Sequence, residues 1–186
     1  MSKVGLEYAV FAQATVGNDG TITYGTGKWI SPAAAYNSSL NKTSGKDWGD
    51  DRVVATENGV TGGTITVEFN HEEDDMHEYL LGHTKATEGN EIVFNANDTA
   101  PYVGTGFVGK SRKGRTTYYT AKWYPLVQFS DPNDENSTKQ ESPNFGHTSL
   151  EGEIVIPENG EWKKQETFST LAAAKAWLNG LANITE

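Results

Sequence analysis

Three of the four histidines of this chain lie between residues 71 and 83, among a run of carboxylates. Asp74 or Glu73 stands three or four residues before His77, a spacing at which two side chains of one helix face could bind the same metal ion. The same carboxylates fall in the first turn of a helix starting at Asn70, where negative charge is stabilising without any ligand. Helix capping is therefore the favoured interpretation, and no metal or other cofactor is expected.

A glycine-rich motif at residues 104–109, GTGFVG, matches the fingerprint of dinucleotide-binding loops. That fingerprint binds a pyrophosphate only where it leaves a strand and opens a helix. Here a basic run and then an aromatic, β-branched segment over residues 116–129 follow, which predict a second strand. Nucleotide binding is therefore not expected.

The cysteine, histidine, carboxylate and tryptophan content gives little support to any other catalytic chemistry. The chain has no cysteine, which excludes disulfides, thiol nucleophiles and zinc–thiolate sites. None of the histidines stands in a recognisable catalytic signature, although the many carboxylates leave a glycoside hydrolase as an alternative. The five tryptophans could stack on sugars, but aromatic residues on strands more often anchor a core or an interface. We expect a protein that is not an enzyme.

One short segment concentrates positive charge on a chain whose formal net charge is -10. It contains Lys110, Arg112, Lys113 and Arg115. It could be a solvated hairpin tip whose charge discourages strand pairing, or an electrostatic contact with an acidic patch on a neighbouring copy. The negative balance of the whole chain argues against binding nucleic acid by neutralising its phosphates.

The elements that must position these residues are mainly strands. Ile65, Val67 and Phe69 alternate with polar residues, as in an antiparallel sheet with one buried face. Further predicted strands cover residues 4–11, 21–24, 52–56, 91–94, 102–108, 116–129 and 150–156. Turn residues at 17–20, 57–59 and 158–160 suit tight hairpins. The length of 186 residues favours one domain over residues 1–186.

Two helices and two long irregular segments complete the prediction. Residues 70–82 predict a short helix on the sheet, and leucines at helical spacing predict a second helix near residues 171–181, capped by Ser169 or Thr170. Loops are predicted at residues 31–51 and 130–146, both longer than most. The first loop carries Tyr36, Leu40 and Trp48, which predict contact with a partner.

The start of the chain shows strand alternation at Val4, Leu6 and Tyr8, without the apolar stretch of a signal peptide. No apolar stretch approaches the ~20 residues of a membrane helix. The sequence therefore predicts a protein made in the cytoplasm, without a membrane segment.

A series of short segments then occurs in a recognisable order from one end of the chain to the other. They are VGLEYAVFA (4–12), DD (50–51), GVTGGTITV (59–67), YLLG (79–82), PYVGTGF (101–107), QF (128–129), STKQE (137–141), LEGEI (150–154) and AAKAWL (173–178). In order and spacing they resemble the major tail proteins, or tail-tube subunits, of long-tailed, siphovirus-type bacteriophages. The resemblance extends over nearly the whole chain.

The resemblance implies an antiparallel β-sandwich or partial β-barrel with a flanking short helix and a C-terminal helix. It implies that six copies close into a ring and that rings stack into a tube. The long early loop, assigned here to residues 31–51, would reach the adjacent ring through Tyr36, Leu40 and Trp48. The family has no catalytic residues.

The resemblance also implies partners and a location. Tape-measure, tail completion and distal tail proteins would contact the tube, and DNA would pass through it without specific binding. The protein would belong to the virion tail and assemble in the cytoplasm of the host bacterium. The alternative is an Ig-like or carbohydrate-binding β-module on a virion or cell surface.

Overall fold

The computed structural model describes residues 2–49, 52–89, 91–132 and 147–185. The strands are β1 (Ser2–Val16), β2 (Ile22–Tyr24), β3 (Ala33–Gly49), β4 (Arg52–Phe69), β5 (Thr84–Lys85), β6 (Ile92–Val93), β7 (Tyr102–Lys113), β8 (Thr116–Ser130), β9 (Thr148–Ile154) and β10 (Lys164–Phe168). A helical turn (Met76–Leu80) follows β4, and helix α1 (Leu171–Leu181) lies near the C-terminus. The prediction of a mainly β chain with a C-terminal helix is confirmed.

Eight strands form one antiparallel sheet in the order β2-β1-β7-β8-β9-β4-β3, with β10 attached to β8. Strands β9 and β10 share β8: β9 pairs with residues 127–130, whereas β10 pairs with residues 119–123. Strands β5 and β6 form a separate small sheet. Every described pairing is antiparallel, as the alternation of apolar and polar residues predicts.

The main core lies between the two halves of this sheet. Its members come from β1, β4, β7, β8 and β9 and from the helical turn, and they include Phe11, Ile65, Phe69, Phe129 and Leu150. Tyr36 on β3 donates a hydrogen bond to Thr105 Oγ1 on β7 at 3.3 Å, although the two strands are far apart in the sheet order. The sheet therefore curves so that its β3 end faces β7, which encloses the core.

Helix α1 covers the outer face of β1, β7 and β8. Ala174 and Leu178 pack there against Trp123, Val108 and neighbouring residues. The hydroxyl of Thr170 accepts a hydrogen bond from the Ala173 backbone N–H at 3.3 Å, which confirms the predicted cap. Both faces of these three strands are thus buried where α1 covers them, around Val10, Val108 and Trp123.

The predicted helix over residues 70–82 is wrong at its N-terminal end. The backbone N–H of Asn70 donates to the Pro32 carbonyl instead of starting a helix, and the helical turn lacks a side-chain cap. Burial of Met76 and Leu80 in the core fixes this short turn in place of the longer helix. It ends before Gly82, whose φ of +80° suits a stop.

The predicted irregular loop at residues 31–51 is also wrong in conformation. Residues 33–49 form β3, which pairs with β4 from Ala33 opposite Phe69 to Gly49 opposite Arg52. Alanine, serine, asparagine and glycine have weak strand propensity, so pairing with β4 decides the conformation. The predicted turn at residues 57–59 lies inside β4 for the same reason. Of the second predicted loop, residues 133–146 lie outside the described residues.

Within the ranges given above, no helix has the length and apolar character needed to cross a membrane.

Candidate assembly surfaces

The β3–β4 hairpin extends well beyond the sheet that carries it. Strand β9 pairs with β4 only over residues 63–69, whereas β3 stays paired with β4 as far as Arg52. The partner strand β3 contributes nine further residues, 41–49, which at ~3.3 Å each give an extension of about 30 Å. No third strand of the described chain pairs with this extension. We call its two strands, residues 42–49 and 52–60, the arm.

Two glycines mark the point where the arm leaves the sheet. Gly62 has a φ of +146°, and a Cβ added at Gly63 would collide with the Ser39 carbonyl. The pairing shifts register between Asn41 and Lys42, which leaves one extra residue on β4. Such a bulge bends a strand and increases its twist. The bulge and the two glycines at residues 61–63 therefore set the direction in which the arm leaves the sheet.

Two of the three residues predicted to contact an adjacent ring lie at the base of this hairpin and pack inside their own sheet. The ring of Tyr36 lies 4.1 Å from that of Phe107, centroid to centroid, and desolvation raises the pKa of Tyr36 well above its ordinary value. Leu40 packs against the main core. Trp48 lies near the end of the arm, and its side chain is outside the described residues. The inter-ring contact stays a prediction.

The four predicted cations divide into two groups. Lys110 Nζ lies 3.2 Å from Glu7 Oε1 on the neighbouring strand, so this cation is paired within its own sheet. Arg112 and Lys113 end β7, and Gly114 and Arg115 form the two-residue turn before β8, in which Gly114 has a φ of +64°. These three cationic side chains are exposed and form no ion pair with the described part of the chain. We call them the basic tip.

The glycine-rich motif lies within β7 and serves packing. A Cβ at Gly104 would stand 2.5 Å from the Tyr24 ring and closer still to the Trp123 ring. A Cβ at Gly106 would meet the Trp123 ring at 2.8 Å. The absence of side chains therefore lets Trp123 lie directly on the backbone of β7, beneath α1.

One polar cluster is centred on His83, a residue to which the sequence pattern assigned no role. Its Nδ1 lies 2.8 Å from Asp98 Oδ2 and its Nε2 lies 2.6 Å from Asp131 Oδ1, while only 4% of the side chain is exposed. Burial alone would lower the pKa of His83, but the two carboxylates outweigh it and raise that pKa. Because ionised carboxylates only accept hydrogen bonds, the geometry fits the imidazolium form. Asp98 and Asp131 are distant in sequence, so no local pattern indicates the cluster.

Two of the side chains considered as metal ligands, Asp74 and His77, have other partners. His77 Nε2 lies 2.8 Å from Glu72 Oε1, and Asp74 forms an ion pair with Lys85 at 3.0 Å. Among the described residues, no group of three or more histidine, aspartate or glutamate side chains is arranged to hold a metal ion. The helical spacing predicted for Glu73 and His77 does not apply, because the chain is not helical before residue 74. Asp74 and His77 do lie on the helical segment, but Asp74 is paired with Lys85.

The described tryptophans have different environments. Trp123 is buried beneath α1, and Trp162 and Trp177 are half-buried against Tyr124 and Phe168. Trp29 is 51% exposed. These four residues do not form one exposed aromatic platform of the kind that would stack on a sugar chain.

No model of a known protein family matches this chain, and no curated protein matches it either.

Proposed function

We propose that this protein is a structural subunit that joins copies of itself into rings, stacked as the tail tube of a bacteriophage. The observation that carries the proposal is the arm, a two-stranded extension that reaches about 30 Å beyond the sheet. The resemblance described above supplies the ring of six and the DNA channel. It also supplies the tape-measure, completion and distal tail proteins as partners, and the virion tail, assembled in the host cytoplasm, as the location.

An isolated two-stranded ribbon is at best marginally stable in water. The arm has only its own two strands to pair with in the described chain, and its described residues Lys42, Thr43 and Ser44 are exposed. A ribbon of this length gains stability when another chain packs on it. The adjacent ring of a stacked tube would supply that chain.

The ends of the sheet give a second argument. Strands β2 and β3 are the outermost strands, so each has one side without a neighbouring strand in the described sheet. Such edges are templates for pairing with another chain. A head-to-tail contact between one edge and the other repeats around a ring when its rotation closes, and closure covers the edges.

The charge of the chain suits a channel for DNA. Each copy carries a formal net charge of -10, and a ring multiplies it. Charges that line the channel would repel the phosphates at distances below the screening length of about 8–10 Å. DNA could then slide without binding.

Electron microscopy of concentrated protein tests the proposal, with an arm-shortened variant as comparison. Replacing residues 43–59 by an Asn-Gly turn removes most of the arm and joins Lys42 to Val60, which are opposite each other in the hairpin. We expect rings and tubes from the wild type. The variant should fold with an unchanged melting temperature but should not form tubes.

The arm-shortened variant is designed to keep the base of the hairpin intact. A deletion of residues 37–48 would instead remove Ser38, whose hydroxyl accepts a hydrogen bond from Tyr124 at 2.9 Å, and should unfold the protein. A wild-type protein that stays monomeric at every concentration would contradict the proposed function. Normal tubes from the arm-shortened variant would contradict the role of the arm.

A further inference from the structure

We propose that the basic tip of one copy docks into an acidic cavity on the next copy, in a head-to-tail contact. The inference rests on the proposed self-assembly and names a pair of surfaces that would hold two copies together. It is carried by a cavity and by three cations, which lie on separate parts of the same chain and complement each other in charge.

The cavity has a volume of about 350 Å³ and lies between the β1–β2 turn, residues 158–161 and β10. Its exposed lining residues include Asp19, Glu158, Glu161 and Lys164, and its more buried lining includes Tyr24 and Trp123. This volume lies at the lower end of the range of ~300–1,000 Å³ that is typical of ligand pockets. The cavity thus has room for one or two long side chains.

The charges around the cavity leave a negative excess. Lys164 Nζ lies 3.4 Å from Glu161 Oε2, so the one cation among the lining residues has a carboxylate beside it. Glu158 forms no ion pair with the described chain. Asp19 Oδ1 accepts a hydrogen bond from the Thr21 backbone N–H at 3.1 Å, which lowers the pKa of Asp19 and favours its ionised form. A cationic partner would complement this arrangement.

The aromatic wall of the cavity is held in a fixed geometry. The Tyr24 hydroxyl donates a hydrogen bond to the Pro125 carbonyl at 3.0 Å, and Trp123 Nε1 donates to the Tyr24 hydroxyl at 3.4 Å. The two rings are nearly perpendicular, with centroids 5.3 Å apart. Trp123 is only 1% exposed and backs the half-buried Tyr24 ring. Carboxylates beside the Tyr24 ring suit a guanidinium group, which pairs with the carboxylates and stacks on the ring.

The basic tip carries such cationic groups, and they are not paired with carboxylates of the described chain. Lys110 is already paired with Glu7, whereas Arg112, Lys113 and Arg115 form no ion pair in the described chain. The tight turn at Gly114 places Lys113 and Arg115 at the turn end of the β7–β8 hairpin.

The tip cannot reach the cavity of its own chain. Arg115 precedes Trp123 by about eight residues, nearly all of them in β8, which corresponds to about 26 Å of extended strand. Because β8 is paired with β7 along this stretch, and with β10 as well from residue 119 to residue 123, it cannot fold back. The tip and the cavity can meet only between two copies, and such a heterologous contact builds rings or filaments.

Complementary charge reversals test the contact. The tip variant is Lys113→Glu/Arg115→Glu, and the cavity variant is Glu158→Lys/Glu161→Lys. Each alone places like charges together, so we expect the critical concentration for assembly to rise at least ~10-fold at low salt. Mixed in equal amounts, the two variants should assemble again, because each then offers the other an opposite charge and the copies alternate.

Two controls separate this contact from a general charge effect. Lys113→Arg/Arg115→Lys keeps the charge of the tip, and Glu88→Lys/Glu91→Lys reverses two exposed carboxylates away from the cavity. Both should assemble like the wild type. If both reversal variants assemble normally, or if their mixture fails as each does alone, the contact is wrong although the proposed function stands. A wild type that never assembles would overturn both.

Discussion

At the scale of single residues, His83 ties together two parts of the chain that are distant in sequence. Its ring joins Asp98, in the segment after β6, to Asp131 at the end of β8, and Phe94 packs on it with a centroid distance of 4.4 Å. His77, paired with Glu72, lies 6.3 Å away by ring centroids. The charge of His83 therefore affects the stability of this corner of the molecule.

The raised pKa of His83 predicts a pH-dependent stability. Because this pKa in the folded protein lies above its ordinary value of about 6.5, the stabilisation is fully present below that value. It is lost as the pH rises through the pKa of the folded state. Because the Asp131 side chain is 60% exposed and its charge is screened by water, Asp131→Asn should cost about 0.5–1 kcal/mol of unfolding free energy at pH 6 and less at pH 9.

Urea denaturation at both pH values, with an NMR titration of the His83 ring, measures this effect. His71→Gln serves as the control, because His71 is exposed and lies outside the cluster. An Asp131→Asn cost that is equal at pH 6 and pH 9 would show that the His83 charge is not involved. The His83 hydrogen bond also lowers the pKa of Asp98, whose own contribution should be lost only as the pH falls through that lowered value.

At the scale of elements, the packing of β7 on β8 and α1 depends on glycines at particular positions of β7. Gly104 and Gly106 lie where the Trp123 ring meets the backbone of β7, whereas Gly109 has no atom closer than 3.8 Å to an added Cβ. The glycines of one motif therefore differ in what they contribute. Two of them permit a close approach, and the third has space around it.

Substitutions in this motif should separate the two cases. Gly104→Val should destabilise the fold by about 1–3 kcal/mol, because the new side chain overlaps the Tyr24 and Trp123 rings. Gly109→Ala should change the unfolding free energy by less than about 0.5 kcal/mol. Urea unfolding of the two variants beside the wild type measures the difference. Equal effects would mean that the Trp123 contact does not limit residue size at position 104.

At the scale of the whole molecule, the acidic balance of the chain makes a prediction about DNA. Purified tubes should not bind a short DNA duplex at ~0.15 M salt, as measured by fluorescence anisotropy, because like charges repel. Lowering the salt to about 0.02 M should not produce binding, since weaker screening increases the repulsion. Binding that strengthens at low salt would instead point to exposed cations, such as an undocked basic tip.

The sequence by itself determined the strand-rich character of the chain, its C-terminal helix with the Thr170 cap, and the basic hairpin turn. These features depend on local patterns: alternation of apolar residues, leucines at helical spacing, and a glycine between charged residues. Such patterns act over a few residues and do not need distant partners. The acidic net charge likewise follows from composition alone.

Tertiary structure decided the features that depend on distant partners. Residues 33–49 have a composition typical of loops, yet pairing with β4 makes them a strand and creates the arm. The helix expected from Asn70 is reduced to a turn because core burial of Met76 and Leu80 outweighs local capping. The His83 cluster and the acidic cavity bring together residues far apart in the chain. Hydrogen bonds and charges act through space, so only the folded arrangement could show which of these groups meet.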